Sequence, residues 1–306
     1  MPDNWGTHLL VDRFLYEGSI SKDFHFSSGV RLGPCPAWIF TDAELSGGLC
    51  YNDRNRLKNS EIAFSTYYSA ASLGDPDPDW KSVDPVSKQS RARDQIALAQ
   101  LALWIARPSY ISARVLIHAN EFSSKWVFRS LRGQDFVSVH PKDENRLIRH
   151  SDLLVAKELH QHLSSLGPNN PLRMATIALW TALTARWWQE RFLMHWIALE
   201  NLFGVESDTR EVKYRLCQRL AFFISSNRKV ASKRFTAAKL AYDVRSSVVH
   251  GLRVRNMRKE KADKVLYDTE TMIRKAFIKL FSSNKLITEF SKRGRREIHL
   301  DALLFK

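Results

Sequence analysis

Residues 233–251 read KRFTAAKLAYDVRSSVVHG, and this stretch indicates the fold of the C-terminal half of the chain. At about 100° per residue, its apolar side chains fall on one arc of a helix. They are Phe235, Ala238, Ala241, Tyr242, Val244, Val248 and Val249. Gly251 follows at the position where a left-handed residue commonly ends a helix. The stretch therefore predicts a helix over residues 233–250 that buries one face.

The same periodicity continues on both sides of this helix, without strand signals between the segments. It predicts further helices over 172–203, 211–225, 260–282 and 296–305. Helices joined by short loops pack as a bundle. We therefore expect residues 171–306 to form an all-α helical bundle.

The N-terminal part has a mixed pattern. Short β-branched or aromatic runs predict strands over 24–26, 37–40, 62–68, 113–118, 126–128 and 136–139. Helical periodicity predicts helices over 92–106 and 151–163, the second of them capped by Ser151. This combination predicts an α+β domain.

Two stretches rich in turn-forming residues indicate how the chain is divided. Residues 72–91, with repeated Asp and Pro, predict a long loop, and the SSLGPNNP stretch at 164–171 predicts a break between domains. We expect an α+β domain of unknown role over residues 1–165, followed by the bundle over 171–306.

The net charge of +15 is distributed unevenly along the chain. Residues 1–90 carry a net charge of −4, residues 91–170 a charge of +4, and residues 171–306 a charge of +15. A basic domain favours a polyanionic partner, because neutralising phosphates releases counterions. A basic surface that keeps the protein in solution is the alternative. We expect the C-terminal half to bind nucleic acid.

Cysteine usage and the N-terminus indicate the compartment. Cys35, Cys50 and Cys217 are scattered and odd in number, which argues against a disulfide scaffold or a zinc module and suits a reducing compartment. The N-terminus lacks a signal-peptide pattern, and no apolar run approaches the roughly 20 residues of a membrane span. We expect a cytoplasmic protein without a membrane anchor.

Motifs for metal or cofactor chemistry are absent from the sequence. It contains no phosphate-binding glycine loop, no HExxH and no GxSxG pattern. We therefore expect neither a metal site nor a cofactor.

Three charged residues occupy predicted buried faces. Arg245 lies near the middle of the apolar arc of helix 233–250, Glu200 within the apolar row of the 172–203 segment, and Arg219 within that of 211–225. Leaving a buried charge without its partner costs about 3–5 kcal/mol. The carboxylate and the two guanidiniums could therefore satisfy one another in an ion-pair network that fixes helix register.

Arg245 also has neighbours suited to chemistry. Ser246 and His250 follow it within about a turn and a half of helix. Histidine is the side chain best suited to move protons near neutral pH, and arginine can hold a phosphate. Attack by an RNA 2′-hydroxyl needs a base and an acid, and one helix offers a single Arg–His pair. A second copy from another subunit would complete such a site.

Basic and aromatic residues near these elements could contact RNA. The basic run after the motif could follow a phosphate backbone or form an ordinary solvated face; it comprises Arg253, Arg255, Arg258, Lys259 and Lys261. Trp187 and Trp188 are adjacent, so at most one can face the core fully. The other could pack at an interface or stack on a base.

Three segments, in this order, resemble the HEPN superfamily, most closely its Apea-like branch. They are ALENLF at 198–203, YRLCQRLA at 214–221 and YDVRSSVVHG at 242–251. The resemblance covers roughly residues 172–306 and implies a bundle of four or five helices that dimerises. In catalytic members the Arg-polar-x3-His motifs of two protomers meet and form a metal-independent endoribonuclease that leaves 2′,3′-cyclic phosphate ends.

The resemblance also implies roles for individual residues. Arg245 would bind the scissile phosphate, Ser246 would support it and His250 would act as acid and base, whereas Glu200 and Arg219 match structural or motif-orienting positions. Similar proteins often act as toxins or in defence against phage, sometimes on tRNA, and some are inactive binding modules.

The expected function is therefore RNA cleavage by a homodimer. A regulatory protein or a phage trigger is a further partner to expect, with the first domain as sensor and the bundle as effector. A non-catalytic HEPN module that binds RNA or protein is the alternative.

Overall fold

The computed structural model describes residues 4–11, 13–18, 20, 22–41, 55, 60–69, 85–109, 111–113, 115–120, 125–130, 147–204, 212–250 and 259–304. The chain divides into two compact units after Ser164. The first is α+β and the second is helical in its described residues, as the sequence predicts. No helix in the described part of the chain has the length and apolar character needed to cross a membrane.

The first unit is built on an antiparallel sheet. Its strands are β1 (Asn4–Val11), β2 (Arg13–Phe14), β3 (Phe24–His25), β4 (Val30–Pro34), β5 (Ile62–Ser69), β6 (Ile111–Ser112), β7 (Val115–Asn120) and β8 (Lys125–Ser130). Six of them form one sheet in the order β3-β4-β5-β1-β7-β8, and β2 pairs separately with β6. Strand β1 lies between β5 and β7, so that Thr7 faces Thr66 on one side and His118 on the other.

The helices of the first unit are α1 (Trp38–Thr41), α2 (Pro85–Ala106) and α3 (His150–Ser164). Helices α2 and α3 pack against each other, and α2 also contacts strands β1, β4 and β5. Apolar residues of β1, α1, β5 and β7 form a core cluster; they are Leu10, Ile39, Ala63, Val115, Ile117 and Ala119. The unit therefore has a sheet with helices packed on it.

The sequence located half of the strands of this unit and misassigned some segments. The strands expected at 24–26, 62–68, 113–118 and 126–128 are confirmed, with shifted ends. Strands β1, β2, β4 and β6 were missed, and β1 in particular runs through the buried centre of the sheet and lacks the alternation of a half-exposed strand. The strand expected at 136–139 lies outside the described residues.

Three further expectations for the first unit are wrong. Residues 37–40 contribute to a helical turn, in which the Ile39 amide donates to the Pro36 carbonyl at 3.1 Å. Helix α2 begins at Pro85, inside the stretch expected to be a loop. Ser151 lies within α3, and the Asp152 side chain instead accepts a bond from the Arg149 amide at 2.9 Å.

The second unit contains α4 (Pro171–Thr184), α5 (Trp188–Phe203), α6 (Val212–Phe223), α7 (Arg228–Val249), α8 (Lys259–Phe281), α9 (Asn284–Phe290) and α10 (Arg293–Ala302). Two of these helices have an asparagine N-cap: Asn170 accepts a bond from the Leu172 amide, and Asn227 accepts one from the Val230 amide. Rings from three helices meet in the core, where Phe223 lies 5.3 Å from both Phe203 and Phe290.

The single helix expected over 172–203 is wrong. The chain leaves the helix at Ala185 and Trp187, both in extended conformation, so that α4 and α5 are separate and pack against each other. Both helices bury an apolar face, but at about 100° per residue the buried positions of α4 and α5 lie nearly half a turn apart, and a single straight helix could not bury both on one side. Helix α9 was also missed, and α10 begins at Arg293 instead of residue 296.

Candidate functional site

Arg245 lies in the last turns of α7 and is held by two helices. Its Nη2 is 3.0 Å from Glu200 Oε1 on α5 and donates a hydrogen bond to Oε2 at 3.3 Å. Its guanidinium carbon lies 5.5 Å from the centre of the Tyr242 ring, one turn earlier on α7. The Tyr242 ring in turn meets Trp196 of α5 edge to face, at 5.2 Å. Carboxylate and ring together fix where the guanidinium points.

The remaining nitrogens of Arg245 are uncommitted. Within the described part of the chain, neither Nε nor Nη1 of Arg245 has a hydrogen-bond partner, and a quarter of the side chain is exposed. A guanidinium presents its N–H groups as a planar fork that matches a phosphate. Arg245 is therefore anchored on one side and able to receive an anion on the other.

The Glu200 carboxylate is desolvated where it lies beside Arg245, which costs free energy. Burial raises the pKa of the Glu200 carboxyl, and the positive charge of Arg245 only partly opposes that shift. The desolvation of this carboxylate therefore outweighs its attraction to the guanidinium. An ion pair of this kind fixes the position of the Arg245 guanidinium more than it stabilises the fold.

Arg219 differs from Arg245 in having its donors occupied. Its Nε and Nη2 donate to Asp301 Oδ1 at 3.0 and 2.7 Å, and its Nη1 donates to the Gly204 carbonyl at 3.2 Å. Glu297 lies 3.7 Å from Nη1, and 1% of the Arg219 side chain is exposed. Arg219 thus ties α6 to α10 and to the end of α5, with no donor directed at solvent.

The expected network of Glu200, Arg219 and Arg245 is therefore wrong in part. Glu200 pairs with Arg245, as expected, but Arg219 pairs with Asp301 and Glu297 of α10. Those acidic residues lie on a short helix far along the chain, and helical periodicity carries no information about such a pairing.

Ser246 and His250 lie next to Arg245 on α7. The Ser246 carbonyl accepts a bond from the His250 amide at 3.1 Å, and His250 forms the C-cap of the helix, with φ −82° and ψ 8°. The Ser246 hydroxyl and the His250 ring have no hydrogen-bond partner among the described residues, and His250 is exposed. Gly251, the expected helix terminator, lies outside those residues.

Arg245 and His250 project from different sides of α7. Positions five apart on a helix differ by about 140° around the axis and about 7.5 Å along it. Val249, beside His250, is half exposed, although the sequence placed it on the buried arc. Within one protomer, therefore, the side chains of Arg245 and His250 point in different directions from α7, and the exposed side chain of Val249 lies between them.

The expected RNA-binding run is only partly described. Arg253, Arg255 and Arg258 lie outside the described residues. Lys259 begins α8, and Lys261 is exposed in the first turn of that helix. The role of this run stays a prediction.

The structure adds Tyr242 to the candidate site and distinguishes the two adjacent tryptophans. Tyr242 was counted only as part of the apolar arc, although its spacing from Arg245 places the two side chains together on a helix. Trp187 is 64% exposed, with the Arg186 guanidinium 5.3 Å from its ring, whereas Trp188 is partly buried near Phe192.

Comparisons of the chain with models of protein families, with curated proteins and with solved structures find no match.

Proposed function

We propose that this protein is a metal-independent endoribonuclease of the HEPN type. The observation that carries the proposal is the half-used guanidinium of Arg245, which is anchored by Glu200 and Tyr242 and leaves Nε and Nη1 uncommitted. The residues around it, Ser246 and His250, have polar side-chain groups without partners in the described chain. A phosphate-binding group and a proton-transfer group thus occur within one segment of the basic half.

The proposed reaction is transesterification of the RNA backbone. The 2′-hydroxyl oxygen attacks the adjacent phosphorus while a base removes its proton, and an acid protonates the 5′-oxygen as the P–O5′ bond breaks. The products are a 2′,3′-cyclic phosphate and a 5′-hydroxyl. Arg245 would stabilise the negative charge on the non-bridging oxygens, and His250 would transfer a proton.

A homodimer through the bundle would complete this site. One His250 supplies a base or an acid but not both at once, and the two side chains project from different sides of α7. A second protomer would bring its own Arg245 and His250 to the same phosphate. The half-exposed Val249 beside the motif fits burial in such an interface.

The cellular role follows from the resemblance and is proposed with it. The protein would act in the cytoplasm as a toxin or an anti-phage effector that cuts RNA, tRNA being one candidate substrate. The acidic N-terminal part, with a net charge of −4 over residues 1–90, would act as a sensor of a regulatory protein or phage trigger.

One observation favours the alternative of a non-catalytic module that binds RNA or protein. The Glu200 carboxylate lies 3.0 Å from Arg245 and competes with a phosphate for the same guanidinium. In a module of this kind, the protein would bind RNA tightly and in a salt-sensitive manner, and the RNA would stay intact.

Cleavage by full-length protein in EDTA tests the proposal, with variants of adjacent serines as matched controls. We expect His250→Ala to lower the rate at least about 100-fold, because it removes the proton-transfer group. Ser246→Ala should lower cleavage, whereas Ser247→Ala should not, because the Ser247 hydroxyl donates to the Asp243 carbonyl of its own helix at 3.0 Å. Wild-type rates in His250→Ala would refute the assignment, and intact RNA with wild-type protein would favour the binding module.

A further inference from the structure

Two stretches of the second unit contain basic residues and no acidic ones. Residues 212–242 and residues 271–288 are free of Asp and Glu. Between residues 228 and 239 the first stretch carries Arg228, Lys229, Lys233, Arg234 and Lys239, and the second carries Arg274, Lys275, Lys279 and Lys285. In an average globular chain, basic and acidic residues are interspersed, so a pair of one-signed stretches needs an explanation.

The fold brings these two stretches together at the C-terminal end of α6. Arg234 of α7 donates hydrogen bonds to the Ile224 carbonyl and, at 3.3 Å, to the Ser225 hydroxyl. Lys279 of α8 donates to the Phe223 carbonyl at 2.6 Å. Cations from two helices thus meet at consecutive carbonyls of a third.

The positive charges at this place repel one another. Burial lowers the pKa of Lys275, and the charges of Arg234 and Arg274 lower it further. Burial and the charge of Arg234 also lower the pKa of Lys279. The fold therefore holds these cations close together although their charges repel one another.

Helix capping explains only part of this arrangement. Cations at the C-terminal end of α6 compensate its last carbonyls and its dipole, which accounts for Arg234 and Lys279. Arg228 and Lys229, by contrast, are exposed in the first turn of α7, where the helix dipole favours acidic residues. In the described part of the chain, Arg228, Lys229 and Lys275 have no carboxylate within ion-pair distance.

The position of the cluster along α7 connects it to the candidate site. Arg234 and Arg245 are eleven positions apart, which places them within about 20° around the helix axis and about 16 Å apart along it. Ala238 and Ala241 bury the face of α7 that lies between these two arginines, so an RNA strand that contacts both must pass around that face.

We propose that this cationic cluster, defined as Arg228, Lys229, Lys233, Arg234, Lys275 and Lys279, binds the phosphate backbone of RNA about three helical turns from Arg245 along α7. The proposal rests on the proposed function in taking RNA as the polyanion. The cluster neutralises phosphates without reading bases, because it is built from flexible cations and contains no aromatic stacking platform. It would set the length of RNA that the protein holds.

Salt-dependent binding tests the cluster. Full-length Lys233→Ala/Lys275→Ala protein is titrated with a fluorescent 30-nucleotide single-stranded RNA, in EDTA and in a His250→Ala background that keeps the RNA intact. The slope of log Kd against log salt should shrink by about 1 for each lysine removed, and the affinity should fall about tenfold for the pair near 0.1 M salt. Lys264→Ala is the matched control, since Lys264 lies on the same helix and pairs with Asp268 at 3.0 Å.

Thermal unfolding separates a binding role from a structural one. Removing Lys275 relieves repulsion from Arg234 and Arg274, so the unfolding midpoint should stay the same or rise while RNA binding weakens. A lower midpoint together with weaker binding would overturn the proposal, as would an unchanged slope in the double variant.

The outcomes also separate this inference from the proposed function. Weak binding by the double variant, combined with no cleavage by wild type, would uphold the cluster and refute the nuclease. Cleavage by wild type, combined with unchanged binding by the double variant, would uphold the nuclease and refute the cluster. Failure of wild type to bind the RNA at all would overturn both.

Discussion

At the residue scale, the difference between Arg245 and Arg219 distinguishes a candidate site residue from a structural one. Both arginines lie on faces that the sequence predicts to be buried. Arg219 has its donors occupied by Asp301 and Gly204, whereas Arg245 keeps part of its guanidinium uncommitted beside a carboxylate whose burial is costly. The sequence singled out both residues and favoured Arg245 because of Ser246 and His250, but it could not give the partners of Arg219, because those come from other helices.

Glu200→Gln tests whether the ion pair between Glu200 and Arg245 positions the guanidinium. The pKa of Glu200 is raised in the folded state, so folding favours its protonated form, and the ionised carboxylate lowers stability at neutral pH. The amide variant should therefore unfold at pH 7 with a free energy no lower than wild type, whereas cleavage should fall about tenfold as Arg245 loses its charged anchor.

Asp301→Asn is the matched control for Glu200→Gln. It weakens the partner of the fully buried Arg219, and we expect the free energy of unfolding to drop by more than about 1 kcal/mol. If urea unfolding showed the larger loss for Glu200→Gln, the pair would be structural and the positional role would be wrong.

At the element scale, periodicity located the helices of the second unit, but the apolar run was interpreted as one helix across the turn between α4 and α5. At 100° per residue, the buried positions Leu179 and Leu183 of α4 lie nearly half a turn away from Phe192 and Leu199 of α5, so a single straight helix could not bury both sets on one side. The turn comes from the packing of α4 against α5, which a single-helix pattern does not encode. Strand β1 was missed because strands buried on both faces lose the alternation that identifies a strand.

Trp187→Ser tests the start of α5. Trp187 occupies the N-cap position in an extended conformation, makes no side-chain capping bond and is 64% exposed. A serine hydroxyl could accept a bond from an amide of the first turn, so we expect the free energy of unfolding in urea to rise by about 0.5–1 kcal/mol.

The adjacent tryptophan provides the contrast. Trp188→Ser should lower the free energy of unfolding, because Trp188 is partly buried and its ring lies 6.4 Å from Phe192. A loss of stability in Trp187→Ser would contradict the described helix boundary. Weaker RNA binding in that variant would indicate that Trp187 stacks on a base.

At the scale of the whole molecule, the net charge bears on RNA binding, and the buried histidines bear on stability in acid. The excess of positive charge lies in residues 171–306, and the structure shows that part of it is concentrated around α7 and α8. Buried histidines occur in both units. Burial lowers the pKa of His8 to about 3 and that of His160 to about 4, and it lowers the pKa of His195 well below the usual value.

These histidines predict loss of stability in acid. Their folded-state pKa values lie below the unfolded value of about 6.5, so the unfolded chain binds more protons as the pH falls below that value. Stability should therefore be fully present above about pH 6.5 and decline toward pH 4. Thermal unfolding midpoints measured across this range check the expectation.

His160→Gln isolates one contribution to that decline. The ring of His160 is hydrogen-bonded with the Ser27 hydroxyl at 2.7 Å and with the Gln95 carbonyl at 3.1 Å, and burial opposes its protonation there. The variant should remove up to about 1.4 kcal/mol per pH unit from the slope of the free energy of unfolding between pH 6.5 and 4. An unchanged slope would contradict the role given to this histidine.

The chemistry of RNA ends tests the central claim most directly. RNA is incubated in EDTA with full-length wild-type protein or with His250→Ala, and its new ends are mapped by sequencing. The account predicts 2′,3′-cyclic phosphate and 5′-hydroxyl ends with wild type and their loss with His250→Ala. Ends of the same kind and number with both proteins, or no new ends with wild type, would contradict it.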